Sequence, residues 1–464
     1  RTLMQLRTRC ESEMKNMRLA LITAVILGIS PVFMDHCSAE RPNVLMIFTD
    51  DQGYNDVGCY GSEIHTPALD RLAEQGMRFT QFYAASSICT PSRFGLLTGM
   101  YPHRSEDSLL DALMFMDPAD LDRGIRAHES TYPSALQRLG YQTHLVGKWH
   151  LGHGNTKFWP TKHGFDTFFG HTGGCVDFFT LNYGNLPDWY RGTELVETDG
   201  YATDVITDEA VKIIARSKGS HQPLYLHVSY NAPHFGKAWN QKTKQTENIM
   251  QPKAEDLAKV SGIDEPLRRA FAAKTIGLDE SIGKLLAALD QHELADETLV
   301  IFMTDHGGEQ KHGGSNLPLR GNKATLYEGG IRVPCIVRWP DRIAAGSVCD
   351  AVTCAIDWFP TLMEICDEPV DSDKLDGRSM WSAMTKQTPQ PNRHLVWKTS
   401  AHQTLQRKAW LAVRDGKWKW VRGPNSDTPG ELYDLETDRQ ETVNLVERFP
   451  SIAERLAALA SADN

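Results

Sequence analysis

One cysteine in this chain stands where a cysteine could do chemistry. Cys89 opens the string CTPSRFGLLTG, residues 89–99. Pro91 suits the first turn of a helix, where free N–H groups favour an anion. Arg93 follows one turn later. A thiol placed there gives up its proton more readily, and the thiolate is the nucleophilic form. The plainer alternative is a buried cysteine ahead of a helix. Three aspartates make a second signal. Asp50 and Asp51 close the apolar run Asn43–Thr49, and Asp305 closes Thr298–Thr304. Neighbours within a strand face opposite ways, but at a strand end the chain can turn and bring both carboxylates to one ion. With Asp305 they form an all-oxygen set suited to a hard divalent cation, calcium or magnesium. Without a cation, three such carboxylates would repel and shift one another's pKa values. Taken singly, each is a cap or turn residue.

Elements able to position these residues follow from the hydrophobic pattern. Asn43–Thr49, Tyr141–Val146, Leu224–Ser229 and Thr298–Thr304 read as buried strands. Pro67–Gly76, Tyr132–Leu139 and Glu265–Leu289 read as helices, the last long and amphipathic. This alternation implies an α/β domain with a large, mostly parallel central sheet flanked by helices. Ligands of such sheets bind beyond the carboxyl ends of the strands, where the three aspartates stand. Composition changes near residue 370. Past the acidic stretch Glu368–Asp376, short strands at Ala409–Arg414, Lys417–Arg422 and Glu431–Asp434 precede a helix at Pro450–Ala460. They predict a small antiparallel sheet with a closing helix. The expected organisation is an N-terminal extension and signal peptide over 1–39, a catalytic domain over 40–370 and a C-terminal subdomain over 371–464.

Composition narrows the function classes. The 464 residues carry 49 Lys+Arg against 59 Asp+Glu, a net charge of -10, with 41% hydrophobic residues. The apolar share excludes dominant disorder. The acidic balance argues against nucleic-acid binding, which needs a basic face. An anionic substrate would have to be caught by a local basic pocket against the field of the whole protein. Met17–Ala39 has a basic start, an apolar run from Leu19 to Ile29 and small residues Ser38-Ala39, the layout of a secretory signal. The run is too short to serve as a stable membrane anchor. The expected location is secreted or periplasmic. Seven cysteines lie beyond it: Cys59, Cys89, Cys175, Cys335, Cys349, Cys354 and Cys366. The odd number singles out one for another task, and the other six could pair in an oxidising compartment.

The string at Cys89 matches in full the signature C-x-P-S-R-x-x-x-L-T-G of type I sulfatases. The resemblance extends over nearly all of the chain beyond residue 39. PNVLMIFTDDQGY, HTPALDRLAEQGMRFT, GKWHLG, NAPH, TDHGG and GNKATLYEGGIRVP are similar to that family's blocks, in order. The resemblance implies the fold of the alkaline phosphatase superfamily. It also implies that Cys89 is oxidised by a formylglycine-generating enzyme, and that the hydrated aldehyde attacks sulfur. Asp50, Asp51, Cys89, Asp305 and His306 would hold Ca2+ or Mg2+. His306 stands where many members have asparagine; a histidine that only orients Asp305 is the other reading. Arg93 and Lys148 would hold the hydrate, and Lys323 a sulfate oxygen. His150 would take a proton from the second hydroxyl, and His234 would protonate the leaving group. Fixed positive groups suit charge that builds on transferred and leaving oxygens, and histidine supplies acid and base near neutral pH.

The implied substrates are aryl sulfates and sulfated saccharides. GGSNLPLRGNKATLYEGG, residues 313–330, resembles the hexosamine-6-sulfatase branch. A phosphoester or phosphonate-ester hydrolase on the same fold is the nearest alternative, and a non-catalytic glycan-binding paralogue is another. His103, His153, His163, His171 and His312 read as structural. Trp410, Trp418 and Trp420 read as one face of a half-buried hairpin, with a sugar-stacking platform as the alternative. The Gly- and aromatic-rich segment Gly170–Gly200 is expected to influence substrate choice or to be a plain surface excursion.

Overall fold

β1 (Asn43–Asp50) sends alternate side chains to two separate cores. Val44, Met46 and Phe48 join one core and Leu45 and Ile47 the other, so its sequence is apolar throughout rather than alternating. The computed structural model describes residues 41–386, 388, 391–401, 409–424 and 430–462. In chain order the main elements after β1 are α1 (Pro67–Gln75), β2 (Met77–Phe79), α2 (Cys89–Thr98), α3 (Tyr132–Arg138), β3 (Gln142–Lys148), β4 (Thr167–His171), β5 (Tyr190–Arg191) and β6 (Glu194–Leu195). They continue with α4 (Ala202–Ser217), β7 (Leu224–Pro233), α5 (Pro266–Gln291), β8 (Thr298–Thr304), β9 (Cys335–Arg338) and β10 (Ser347–Cys349). Their strands form one sheet in the order β10-β2-β9-β8-β1-β7-β3-β4-β5-β6. The five strands from β8 to β4 are parallel.

Register brings the strand ends together. Thr49 of β1 pairs with Thr304 of β8, so Asp50 and Asp305 leave the sheet side by side. Two strands run further than the apolar pattern suggests. β3 reaches Lys148, which pairs with His171, and β7 reaches Pro233, which pairs with Asp50 across an irregular step. Parallel neighbours carry the ladder into residues whose polarity conceals them in the sequence. α5 begins where Glu265 accepts backbone N–H groups of Leu267, at 3.0 Å, and Arg268, with Pro266 in the first turn. Its Leu278, Ile282, Leu285 and Leu289 cover the same sheet face as Leu45 and Ile47.

A second sheet comprises β11 (His394–Thr399), β12 (Trp410–Asp415), β13 (Trp418–Arg422) and β14 (Glu431–Asp434), antiparallel in that order. α6 (Pro450–Ala462) packs on β12 and β13. The tryptophans are packing residues. Trp420 is buried, Trp410 meets Tyr327 edge-on at 5.3 Å, and Trp418 lies 5.2 Å from Phe449. The neighbouring Lys419 crosses to the main body, where its buried ammonium lies 2.9 Å from Glu328 and 2.9 Å from Glu441.

Lys419→Ala is expected to cost about 3–5 kcal/mol, because buried Glu441 loses its counter-ion and Glu328 is left with Arg332 alone as its ion-pair partner among the described residues. The loss should appear as a lower urea midpoint. Burial pushes Glu441 up to about 7, against the pull of Lys419. The stability contributed by its retained proton is present below the ordinary carboxylate range and lost as pH rises through about 7. Removing Lys419 strengthens that dependence, so the deficit should be larger at about pH 8 than at about pH 5. A pH-independent deficit would show that packing of the lysine stem, not its charge, is what is lost.

The seven described cysteines are all free thiols. Cys335 and Cys349 show why pairing fails: both align with Phe79, on opposite sides of β2. Two strand spacings come to about 10 Å, beyond the reach of a disulfide. The signal-peptide expectation falls on residues 1–39, outside the described residues. Among the described residues, no helix is long and apolar enough to cross a membrane.

Candidate active site

The turn after β1 sets the site. Asp51 has a φ of 64°, in the left-handed region that aspartate tolerates better than most residues. The reversal places its carboxylate beside that of Asp50 rather than across the sheet. The Asp51 N–H donates to Asp305 Oδ1 at 3.2 Å, tying the ends of β1 and β8 together. Each carboxylate then meets cations from distant segments. Lys148 Nζ lies 2.6 Å from Asp50 Oδ2, and Arg93 Nη2 3.6 Å from Asp50 Oδ1. Lys323 Nζ lies 2.5 Å from Asp51 Oδ1. His306 Nε2 is 3.5 Å from both Asp51 Oδ1 and Asp305 Oδ2, and His234 Nε2 is 3.5 Å from Asp51 Oδ2.

Cys89 is the first residue of α2, after an extended Ile88. All ten residues of this helix are buried, and its amino end is aimed at the aspartates. The Cys89 Sγ lies 3.2 Å from His306 Nε2. Two further residues of the helix lock it to the strand ends. Ser92 Oγ donates to the Asp305 carbonyl. Arg93 donates to Ser229 Oγ at 2.7 Å and to Asp305 Oδ2 at 3.4 Å, its guanidinium over the Phe48 ring.

The two histidines are fixed differently. His150 has a φ of 60° and its Nε2 lies 2.9 Å from the Leu113 carbonyl, so Nε2 carries the proton there. Its Nδ1 is buried without a hydrogen-bond partner. A Cβ on Gly174 would come 2.8 Å from His150 Cε1, so the segment 170–200 approaches this ring closely and only glycine fits. His234 Nδ1 lies 2.8 Å from the Phe235 carbonyl, leaving Nε2 toward Asp51. Its own carbonyl accepts from Lys274 Nζ of α5 at 2.6 Å.

Electrostatics follow from burial and this mixed charge. Burial works against ionised Asp50, but Lys148 and Arg93 hold it well below the usual carboxylate range. Burial pushes Asp51 and Asp305 up to about 7, with repulsion from Asp50 and Cys89 added. His306 rises to about 9 despite burial, because Asp305 and Cys89 face it. Burial opposes ionisation of the Cys89 thiol, yet Lys148, Lys323 and His306 hold it well below its ordinary range. Burial also keeps His150 and His234 neutral.

The donor set is compatible with a divalent cation. Asp50 Oδ1 and Asp51 Oδ2 are buried without a hydrogen-bond partner. Ligand atoms of Asp50, Cys89, Asp305 and His306 lie within 4.8 Å of one another, as do those of Asp50, Asp51, Cys89 and His234. Eight of the nine residues singled out from the sequence together with Cys89 meet in one buried place; the ninth, His150, is buried within the electrostatic reach of Lys148, Arg93 and Asp50.

Three residues there carried no sequence signal. Ser229 of β7 accepts from Arg93 across 136 positions of sequence. Lys274 is buried in the middle of a helix whose pattern looks simply amphipathic. His171, read as structural, lies in register with Lys148, and its buried Nε2 has no partner. The segment 170–200 is no plain excursion. It supplies β5 and β6 to the main sheet, and Asp188 within it accepts from the backbone of Thr172 and Gly173.

Residues 42–367 match the sulfatase family model. Residues 321–460 match the model of the N-sulphoglucosamine sulphohydrolase C-terminal region. Arylsulfatase J of Mus musculus is 31% identical over 90% of this chain and 75% of its own length. N-acetylgalactosamine-6-sulfatase of Sus scrofa is 30% identical over 91% and 81%. The crystal structure of Ps i-CgsB in complex with k-i-k-neocarrahexaose superposes with a TM-score of 0.80 at 28% identity, covering 91% of this chain and 92% of that one. With the family model running from the first described strand through the helix after β10, the chain belongs to the sulfatase family and is a sulfuric ester hydrolase.

Proposed function

We propose that Cys89 is converted to formylglycine and that the protein desulfates a sulfated saccharide, with aryl sulfates serving as small surrogates. The observation that carries this reading is the position of Cys89. Its sulfur stands at the amino end of a buried helix, among three carboxylates and three fixed cations. Formylglycine would supply, as its hydrate, one hydroxyl to attack sulfur and a second whose deprotonation releases the sulfate. The chain's own residues do the rest. Lys148 and Arg93 hold the nucleophile's oxygens. Lys323, anchored on Asp51, meets a sulfate oxygen and the charge that grows on the leaving oxygen. The unpartnered Nδ1 of His150 accepts the proton of the second hydroxyl. Burial and the Lys323 charge keep His234 neutral; an arriving sulfate anion offsets Lys323 and raises its proton affinity, readying it to protonate the alcohol. Because Cys89 is buried, a maturing enzyme must reach it before folding is complete. Export by a signal within residues 1–39 belongs to the same proposal, and N-terminal sequencing of exported protein tests it.

The deciding experiment is side-by-side hydrolysis of an aryl sulfate and the matching aryl phosphate. Strong preference for sulfate supports the reading, and preference for phosphate sinks it.

Asp50, Asp51, Asp305 and His306, with the residue at position 89, would hold Ca2+ or Mg2+, which would neutralise charge and act as a Lewis acid. Chelation should therefore lower activity about 100-fold or more, and calcium should restore it. A readout apart from activity is thermal stability. Calcium at 100 times its Kd should add about 2.7 kcal/mol and raise the melting temperature of the stripped protein. Full activity in metal-free protein would remove the ion from the site. Recovery with zinc alone would make His306 a ligand and calcium the wrong ion.

A further inference from the structure

Phe235, next to His234, begins a run of rings and cations leading away from the aspartates. Its ring centre is 3.9 Å from that of His234 and 4.3 Å from that of His312. Lys237 Nζ lies 5.7 Å from the Phe235 ring centre and 5.3 Å from that of Tyr183. Tyr183 in turn stands 4.8 Å from Phe115. The backbone of Lys237 is clamped from two sides. Its N–H donates to the Val176 carbonyl at 3.3 Å, and its carbonyl accepts from the Gly184 N–H at 2.9 Å. Both partners belong to the segment 170–200, so that segment decides where Lys237 stands.

The lysine is half-buried, and no carboxylate among the described residues forms an ion pair with it. Two aromatic faces hold the ammonium in place without neutralising it, and all three of its N–H donors remain available to a ligand. Its field reaches the same region as the site: Lys237 and Lys148 both pull on the buried Cys175 thiol, which burial raises to about 11. A partly desolvated charge is favourable only when an opposite charge arrives.

We propose that Lys237 receives a second anionic group of the substrate, a sulfate or a carboxylate, so that the preferred substrates are saccharides carrying at least two negative charges. This rests on the sulfatase reading and adds a specificity-determining residue outside the sulfate pocket. Tyr183 and Phe235 set the ammonium's position, and the segment 170–200, which contains Tyr183, clamps the lysine's backbone. The link also gives that segment a concrete way to influence substrate choice.

The test compares wild type, Lys237→Ala and Lys237→Arg on four substrates. They are an aryl sulfate, a monosulfated disaccharide of otherwise neutral sugars (below, the neutral disaccharide), its disulfated counterpart, and a monosulfated disaccharide containing a uronate. On the aryl sulfate and the neutral disaccharide, Lys237→Ala should stay within about twofold of wild type in kcat/KM. On the disulfated or the uronate substrate it should lose about 10- to 100-fold, mainly through KM, and Lys237→Arg should recover most of it. Which of the two loses more identifies the second group. The salt dependence of KM on that substrate should flatten in Lys237→Ala. An equal loss on all four substrates, no loss on any, or a wild type that prefers the neutral disaccharide would overturn the proposal. A wild type inactive on every sulfate ester, the aryl sulfate included, would overturn the sulfatase reading beneath it.

Discussion

Cys89→Ser is expected to fold normally and to lose steady-state sulfatase turnover by about 10³-fold or more. Serine keeps one hydroxyl at the amino end of α2, within the field of Lys148, Lys323 and Arg93 that surrounds the native thiol. That hydroxyl can attack sulfur. It leaves no second hydroxyl from which His150 could take a proton, so the sulfate stays on the enzyme. The variant should turn over once and gain the mass of one sulfo group on the tryptic peptide ending at Arg93. The same peptide from active wild type should carry an aldehyde in place of the thiol. Cys89→Ala should be inactive and unlabelled. A serine variant working at the wild-type rate would mean that water attacks sulfur directly, and the formylglycine proposal would fail.

Lys323→Ala is expected to lose about 10²–10³-fold in kcat on every sulfate ester, small or polymeric. Lys323 is buried, anchored 2.5 Å from Asp51, and its ammonium is held well above its ordinary range by Asp51 despite burial. It is therefore a fixed charge that needs no rearrangement when the leaving oxygen becomes negative. The aryl substrate is the control. If activity fell only on polymers, Lys323 would be a glycan contact outside the sulfate pocket, and the assignment would move to Lys148 and Arg93. Since removal of Lys323 also leaves Asp51 with less compensation, calcium affinity should be measured on the same variant. A kcat deficit that excess calcium fully repairs would show that Lys323 acts by shaping the metal site instead.

The central strands were legible because they are buried on both faces. Thr298–Thr304 has the same limits in the sequence and in the fold; so does Glu431–Asp434, an edge strand of the small sheet. β3 and β7 were read short, since Gly147-Lys148 and Tyr230–Pro233 are strand only through their partners. The edge strands β5 and β6, two residues each, carry no periodic signal at all. Cysteine counting left the pairing of six thiols open, and β2 between Cys335 and Cys349 shows that a count says nothing about distance.

What the residues alone determined is the local chemistry. A cysteine, proline and arginine at fixed spacing make a helix start with a reactive thiol. Aspartates that end apolar runs make strand-end carboxylates. Both depend on neighbours a few positions apart, where backbone geometry is nearly independent of the rest of the chain. Pairing was decided by tertiary structure. Lys148 meets Asp50 across 98 positions, and Lys323 meets Asp51 across 272. His306 faces Cys89 because β8 lies beside β1, and Lys237 stands between two rings because the segment 170–200 clamps its backbone. Such contacts follow from sheet order and register. Those are settled by how the whole core buries its apolar surface, and no short window of sequence contains that information.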